Sequence, residues 1–131
     1  GTENFMADLL TEPEIAECIL DHVSAYYLEY NRAFFEAAKG TLDIFFMGDD
    51  MGTQASQWVS LDLYRKFFKK RFAAYCELAH RYGMKTMYHT CGNVAPFIRD
   101  FIEAGLDILE GGSHLRGTVP IRPVDHGGQH G

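Results

Sequence analysis

The sequence predicts an α/β fold built around a parallel sheet, and two observations support this. Long segments with apolar residues at helical spacing alternate with short apolar runs that have the composition of strands. The links between them are short and contain glycine. Short-linked alternation of this kind is typical of β/α units, in which neighbouring strands are parallel and helices cover the sheet. We therefore predict three helices and three strands, in the order helix, strand, helix, strand, helix, strand.

The first helix is predicted to begin at a capping box, with Thr11 as the N-cap and Glu14 as the third helical residue. Gly40 marks its end, because glycine is the usual residue just past a helix. The apolar run 42–47 that follows reads as a buried strand. The helix residues expected to face the core are Ile15, Ile19, Val23, Tyr26, Tyr27, Tyr30, Phe34 and Ala38.

Similar signals delimit the remaining elements, with a capping residue before each helix and a glycine after it. Because the predicted strands are apolar on both faces, we expect the sheet to be buried on both sides. The predicted boundaries are Ser60 to Gly83 for the second helix, 84–88 for its strand, Asn93 to Gly105 for the third helix and 106–109 for the last strand.

Apolar periodicity stops near Gly112, and glycine, histidine, proline and arginine dominate from there. We therefore divide the chain into one domain, residues 1–111, and an irregular tail, residues 112–131. The stretch 125–131 has the composition of an unstructured or non-native addition. We place no function in the tail.

Composition narrows the class of protein. The 131 residues are enough for one domain, and 47% apolar with 14% aromatic residues is enough for a packed core. A formal net charge of −6 argues against nucleic acid or an anionic membrane as a partner. The odd set of three cysteines and the lack of a signal peptide predict a reducing, cytoplasmic setting without disulfides. Cys18 and Cys76 lie in helical patterns and are expected to be buried.

His89 and Cys91 lie two residues apart at the end of the second predicted strand. Side chains two apart in a strand point the same way, so the imidazole and the thiol would converge if the strand continues that far. Nitrogen and sulfur ligands suit zinc. The alternative interpretation is a half-buried histidine beside an inert cysteine.

Other polar residues follow the strand ends. Asp49, Asp50 and Gln54 come after the first strand, and Asn93 follows His89 and Cys91. Neighbouring parallel strands lie about 4.8 Å apart, so these groups are expected to face one pocket. We predict Asp49 and Asp50 as catalytic, without deciding which of the two faces inward. Gln54 and Asn93 are predicted to bind substrate.

Two kinds of chemistry fit such a pocket. In one, His89 and Cys91 hold Zn²⁺ with a further ligand, and the metal activates a substrate thiol. In the other, Asp49 or Asp50 binds or protonates a substrate directly and no metal is required.

The chain resembles the uroporphyrinogen decarboxylase superfamily from about Thr11 to Leu109. Within that family the His-x-Cys-Gly element is closest to the branch of zinc-dependent corrinoid and coenzyme M methyltransferases. After the last predicted strand, Glu110, Gly111 and Gly112 depart from the family pattern, which has an Asn-Pro type of turn. The three motifs that carry the resemblance, in their family order, are 48–54, 88–93 and 103–109.

The resemblance implies a TIM (β/α)₈ barrel, to which this chain would contribute β/α units from the later part. In the methyltransferase branch the matching histidine and cysteine are zinc ligands, which implies this role for His89 and Cys91. A further cysteine ligand of those enzymes lies downstream of the residues present here. The decarboxylase branch generally lacks His-x-Cys at this strand and needs no cofactor, so it implies loss of carboxylate from a tetrapyrrole instead.

A barrel of this type needs about 250 residues, so the resemblance makes the chain an incomplete barrel. Incomplete barrels leave sheet edges and apolar faces uncovered. We therefore expect a homo-oligomer, and a third possibility is that the chain alone is a catalytically inactive, oligomerising part of an enzyme. The partners expected for the parent enzyme are a small-molecule substrate, either a thiol and methyl donor or a tetrapyrrole, and a corrinoid protein in the methyltransferase case.

Overall fold

A four-stranded sheet organises the chain in the computed structural model, which describes residues 7, 10–48, 60–90, 94–111 and 118–122. The strands lie side by side in chain order. The first three are parallel, as predicted, while the fourth runs antiparallel to the third. The strands are β1 (Ile44–Met47), β2 (Lys85–Thr90), β3 (Ile108–Gly111) and β4 (Thr118–Pro120).

Strand β4 was not predicted. Its residues belong to the segment for which irregular structure was expected, yet Val119 lies opposite Leu109 in the ladder and Ile121 packs against the core. The pairing covers the edge of β3 that faces away from β2. The prediction of an irregular tail is therefore wrong for these residues, because pairing with β3 satisfies their backbone groups. Residues 112–117 and 123–131 lie outside the described residues.

The helices match the predicted order, with one irregularity. The middle helix contains a π-helical turn where two basic residues, Arg65 and Lys66, interrupt the apolar spacing. We number the helices α1 (Pro13–Ala37), α2 (Leu61–Leu63, the π turn Tyr64–Phe68 and Lys69–Arg81) and α3 (Ile98–Ala104, after a 3₁₀ turn at Ala95–Phe97).

Some helix ends have the capping residues that the sequence predicted, and others do not. Ser60 caps α2, and its hydroxyl oxygen accepts a hydrogen bond from the backbone N–H of Leu63 at 3.2 Å. The predicted capping box of α1 is wrong, because Glu12 is the N-cap and the Thr11 hydroxyl donates to the carbonyl of Ala7. Gly105 ends α3 at a φ of 111°, a conformation that favours glycine.

All three helices pack on the same face of the sheet. The Phe35 ring of α1 lies 5.0 Å from that of Phe45, which is on β1. The rings of Phe72 on α2 and Phe101 on α3 each lie 5.4 Å from the ring of Tyr88, at the centre of β2. This helix-covered face contains the main aromatic core.

The opposite face of the sheet, which we call the open face, has no helix over it among the described residues. Ile44 is 47% exposed and Phe46 is 54% exposed, so the expectation of burial on both sides is wrong for this structure. By the alternation of side chains along each strand, the open face consists of Ile44, Phe46, Lys85, Met87, His89, Ile108 and Glu110.

Helix α1 also departs from its predicted packing. It buries Ala16, Leu20, Ser24 and Phe35, whereas the apolar residues expected to face the core are mostly exposed. The sequence carries two apolar stripes on this helix, and the stripe with smaller residues is the one that packs against α2. No helix among the described residues is long and apolar enough to cross a membrane.

Candidate functional site at the carboxyl ends of the strands

The carboxyl ends of β1, β2 and β3 lie at one edge of the sheet because these strands are parallel. His89 is the next-to-last residue of β2 and lies opposite Glu110 of β3 in the ladder. Met47, at the end of β1, lies opposite Tyr88. The predicted convergence of strand ends is therefore present, and His89 is on the open face rather than under the helices.

Three neighbours define the surroundings of the His89 ring. The Phe46 ring stacks beside it, with a centroid separation of 6.1 Å and an interplanar angle of 25°. The Nδ1 atom lies 3.7 Å from Oε2 of Glu110, within ion-pair range when the imidazole is protonated. The His89 side chain is 44% exposed. An accessible imidazole held between an aromatic ring and a carboxylate is available to bind a ligand or a metal ion.

Gly111 allows this arrangement of His89. Its φ is 86°, and a Cβ atom placed on it would lie 2.6 Å from the carbonyl oxygen of Thr90. The same Cβ would lie 3.5 Å from Nδ1 and Cε1 of His89. Only glycine fits here without moving the β2 backbone next to His89.

Most of the predicted site residues lie outside the described residues. This applies to Asp49, Asp50, Gln54, Cys91 and Asn93. Of the predicted residues, the structure therefore describes His89 alone. Strands β1 and β2, which come before these residues in the sequence, do end at the expected edge of the sheet. Strand β1 ends at Met47, next to Gly48, and β2 ends at Thr90, directly before Cys91.

Sequence reasoning missed Phe46 and Glu110 as neighbours of His89. Glu110 was expected to follow the last predicted strand, but it lies within β3 and is paired with His89. The available signal was alternation, because Phe46 and Glu110 each share the open face of their strand. Their register against β2 depends on pairing between strands distant in sequence, and no local pattern gives it.

Among the described residues, no group of three histidine, cysteine or acidic side chains is placed to hold a metal ion. His89 and Glu110 supply an imidazole and a carboxylate at one place, a donor set that suits zinc or a similar divalent ion. A carboxylate beside an imidazole is also the usual outer partner of a metal-bound histidine. The described part of the site thus fits a metal but needs further ligands.

Two other ionic clusters stabilise the fold away from this edge. The Asp107 carboxylate, at the amino end of β3, lies 2.7 Å from Nε2 of His80 and accepts from the Thr86 backbone N–H at 2.9 Å. Burial raises the pKa of Asp107, but the hydrogen bonds from Thr86 and His80 outweigh it, and the pKa falls below the usual range.

The second cluster joins α2 to α3. The Asp100 carboxylate is 2% exposed and accepts from Arg65 at 3.0 and 3.2 Å and from Lys69 at 2.8 Å. Burial raises the pKa of Asp100, and the hydrogen bonds from Arg65 and Lys69 reverse this, so that the net pKa lies below its usual range. Both clusters hold secondary-structure elements together, and neither lies on the open face of the sheet.

The two described cysteines differ. Cys76 is buried as predicted, and burial raises the pKa of its thiol to about 12, so it stays protonated and unreactive. Cys18 is exposed, which corrects the prediction that it is a core residue. Cys18 lies among the exposed residues of α1.

Comparison with known proteins identifies the family. The family model described as uroporphyrinogen decarboxylase (URO-D) matches residues 1–116. The chain belongs to the uroporphyrinogen decarboxylase family. No curated protein and no solved structure matches it significantly. The α/β architecture, with helices on one face of a largely parallel sheet, fits part of the barrel of this family.

Proposed function

We propose that the chain is part of a zinc-dependent methyltransferase of the uroporphyrinogen decarboxylase family, with His89 and Cys91 as zinc ligands. One observation carries the proposal: His89 lies at the carboxyl end of β2 on the open face, which is the helix-free side. In a closed barrel the helix-free side faces the interior, and ligands bind where strands end. A cysteine two residues further on would share this side if the strand continued.

The surrounding residues have defined tasks in this proposal. Glu110, 3.7 Å from Nδ1, orients the His89 imidazole, and the stacked Phe46 ring shields one side of it from water. Bound zinc would lower the pKa of a substrate thiol, so that a thiolate is available for methyl transfer. Asp49 or Asp50 would supply a carboxylate at the neighbouring strand end. Gln54 and Asn93 would bind substrate, and a corrinoid protein is the proposed methyl-carrying partner.

Decarboxylation of a tetrapyrrole is the second candidate, favoured by the description of the matching family model. This reaction requires no metal. Asp49 or Asp50 would then bind or protonate the substrate, and His89 would be part of the pocket wall. The two candidates differ in whether His89 and Cys91 hold zinc.

A third candidate is a catalytically inactive chain that associates with copies of itself. The exposed apolar residues Ile44 and Phe46 on the open face favour it, because burial of apolar surface drives association. In this proposal a second copy covers the open face, and the full barrel of the family is not formed by one chain.

Metal analysis separates the first two candidates. We would measure zinc by mass spectrometry in protein purified without immobilised metal, with Cys18→Ser and with His114, His126 and His130 replaced by glutamine. These changes remove the exposed thiol of Cys18 and the imidazole groups of the tail, which could otherwise bind metal. The whole chain is used, because β3 extends to Gly111 and β4 covers its edge.

The methyltransferase proposal expects about one zinc per chain, lost in both His89→Ala and Cys91→Ser. His80→Ala is the matched control, because His80 contacts Asp107 at the other end of the sheet, and it should retain the zinc. Zinc that persists in Cys91→Ser, or no zinc in the parent, would overturn the zinc proposal and favour decarboxylation. Turnover assays with a tetrapyrrole, beside light scattering, then separate decarboxylase from inactive oligomer.

A further inference from the structure

Helix α1 carries an exposed face that nothing in the proposed function uses. Ile15, Ile19, Tyr26 and Tyr30 are 54%, 41%, 67% and 61% exposed. At 100° per residue these side chains fall within a narrow arc of the helix, on the side away from Leu20. We call this arc the outer face of α1. Its length from Ile15 to Tyr30 is about 22 Å at the usual helical rise.

Cys18 and His22 lie one turn apart beside the outer face, on the side of Ile15. Both are exposed, and the Cys18 Sγ atom lies 3.7 Å from Nδ1 of His22. Zinc–sulfur and zinc–nitrogen bonds of about 2.3 and 2.0 Å at a tetrahedral angle separate the two ligand atoms by about 3.6 Å. The thiol and the imidazole are therefore already at the spacing of two ligands on one zinc ion.

The Nδ1 atom of His22 also lies 2.9 Å from the backbone carbonyl oxygen of Cys18. This contact holds the imidazole against the helix, next to the thiol. Metal binding through Nδ1 would replace this hydrogen bond by a bond to the ion, with the imidazole proton moving from Nδ1 to Nε2 through solvent. The thiol would release its proton to solvent on becoming a thiolate ligand. An i, i+4 pair of metal-binding side chains on a helix is a known way to hold zinc.

One chain cannot complete this site with its described residues. No third histidine, cysteine or acidic side chain is placed to join Cys18 and His22. The nearby Glu29 is held by Arg32 through hydrogen bonds of 2.6 and 2.9 Å. Zinc in a structural site takes four protein ligands, so the described residues of one chain leave two ligands to be supplied.

We propose that two copies of this chain associate through the outer faces of α1 and bind one Zn²⁺ with Cys18 and His22 from each copy. A two-fold axis through the ion makes the two helices antiparallel about residue 20. It then brings Ile15 of one copy close to Tyr26 of the other, so that apolar side chains meet beside the metal. The site is separate from His89 and Cys91 and does not depend on the proposed function.

The association should require the metal. A single pair of helices offers less contact than the roughly 800 Å² per partner of a standard stable interface. Metal binding supplies the remaining free energy, because an ion that binds only the pair shifts the equilibrium toward it. The proposal therefore predicts a change in mass on adding metal, whatever the state of the metal-free protein.

The experiment uses the full chain with Cys91→Ser and with His114, His126 and His130 replaced by glutamine, kept reduced with a phosphine. These changes remove the ligand proposed at the other site and the tail imidazoles. Metal-free protein is titrated with Co²⁺, whose thiolate complexes absorb in the near ultraviolet, and its mass is followed by sedimentation. We expect one Co²⁺ for two chains, thiolate absorption, and a doubling of mass that Zn²⁺ also produces and a chelator reverses.

Cys18→Ser and His22→Ala should each abolish the doubling, and His80→Ala should leave it intact. All three positions are exposed, so these variants should fold, which circular dichroism checks. Tyr26→Ser should weaken the doubling while keeping thiolate absorption at high protein concentration. One Co²⁺ per chain without doubling, no change of mass on adding metal, or doubling that survives Cys18→Ser would overturn the proposal.

Discussion

The two faces of the sheet have the same backbone but opposite surroundings. On the helix-covered face, Thr86, Tyr88 and Thr90 are fully buried beneath α2 and α3. On the open face, the alternate residues Met87 and His89 of the same strand are only partly buried. One strand thus supplies core packing on one side and the candidate site on the other.

Residues that stabilise the fold and residues of the candidate site therefore lie on different faces of the sheet. The covered face holds rings in mutual contact, with Phe101 touching those of Tyr64, Phe72, Tyr88 and Phe97. The open face holds the accessible imidazole and a carboxylate. Changes on the first face should therefore act on folding, and changes on the second should act on binding and association.

The largest effect is expected for Phe101→Ala. The side chain is fully buried, and its removal leaves a cavity between α3 and β2, so we expect a loss of about 3–5 kcal/mol in the free energy of unfolding. Urea unfolding followed by circular dichroism measures it. Phe46→Ala makes the same change on the open face and should lose no more than about 0.5 kcal/mol. Equal losses would show that the open face is covered in solution.

The next largest loss of stability is expected for Asp100→Asn, because this change removes a charge that is buried on the helix-covered side of the sheet. The carboxylate accepts three hydrogen bonds from Arg65 and Lys69, and we expect a loss of about 2 kcal/mol. Glu103→Gln is the matched control on the same helix. It also contacts Lys69, at 2.5 Å, but is 55% exposed, so its loss should stay within about 0.5 kcal/mol. A loss for Glu103→Gln as large as that for Asp100→Asn would contradict the role of burial.

Gly111→Ala tests the edge of the sheet at which the parallel strands end and the candidate site lies. The added Cβ would lie 2.6 Å from the Thr90 carbonyl oxygen, and the backbone φ is unfavourable for alanine. We expect a loss of about 1–3 kcal/mol together with lower metal affinity, because relief of the clash moves the β2 backbone next to His89. Gly40→Ala is the control, since its φ is also positive but no atom lies near the added Cβ. It should lose stability without affecting metal binding.

Local signals explain which parts of this fold could be predicted. Ser60 caps α2 through its own hydroxyl group, and the glycines that end helices act through their own backbone. The strand runs were long enough to show their apolar character. The face of α1 could not be predicted, because two stripes were apolar and only the contact with α2 selects between them. Strand β4 is three residues long, too short to show a pattern of its own, and what identifies it is its pairing with β3.

The candidate site, like the fold, could be predicted only in part from the sequence. The position of His89 at a strand end followed from the apolar run before it and from alternation. Its neighbours Phe46 and Glu110 depend on register between strands that lie some 20 to 40 residues apart in sequence. Sequence patterns within one strand carry no information on that register, so the contacts of the imidazole required the structure.

A smaller effect is expected from acid titration at the amino end of the strands. The pKa of Asp107 is lowered in the folded state, so its stabilising contribution is present above the unfolded value of about 3.9 and is lost as pH falls through the folded value. Asp107→Asn should cost about 1 kcal/mol at pH 6, and the difference from the parent should shrink below pH 4. Urea midpoints from pH 6 to pH 3 measure this. Asp43→Asn, an exposed carboxylate, is the control, and a difference for Asp107→Asn that does not change with pH would contradict the assignment.

The smallest effect on folding is expected for Phe46→Asn, which tests whether the open face is the surface of self-association. The side chain is 54% exposed in one chain, so the free energy of unfolding should change by no more than about 0.5 kcal/mol. Association should weaken at least several-fold, because a polar amide replaces an exposed apolar ring on this face. Light scattering over a range of concentrations, with a chelator present to exclude metal-linked pairing through α1, measures it. Ile102→Asn changes an exposed apolar residue on α3 and should leave association unchanged. If Phe46→Asn associates as the parent does, the open face is not the surface that joins the copies, and the third candidate function loses its support.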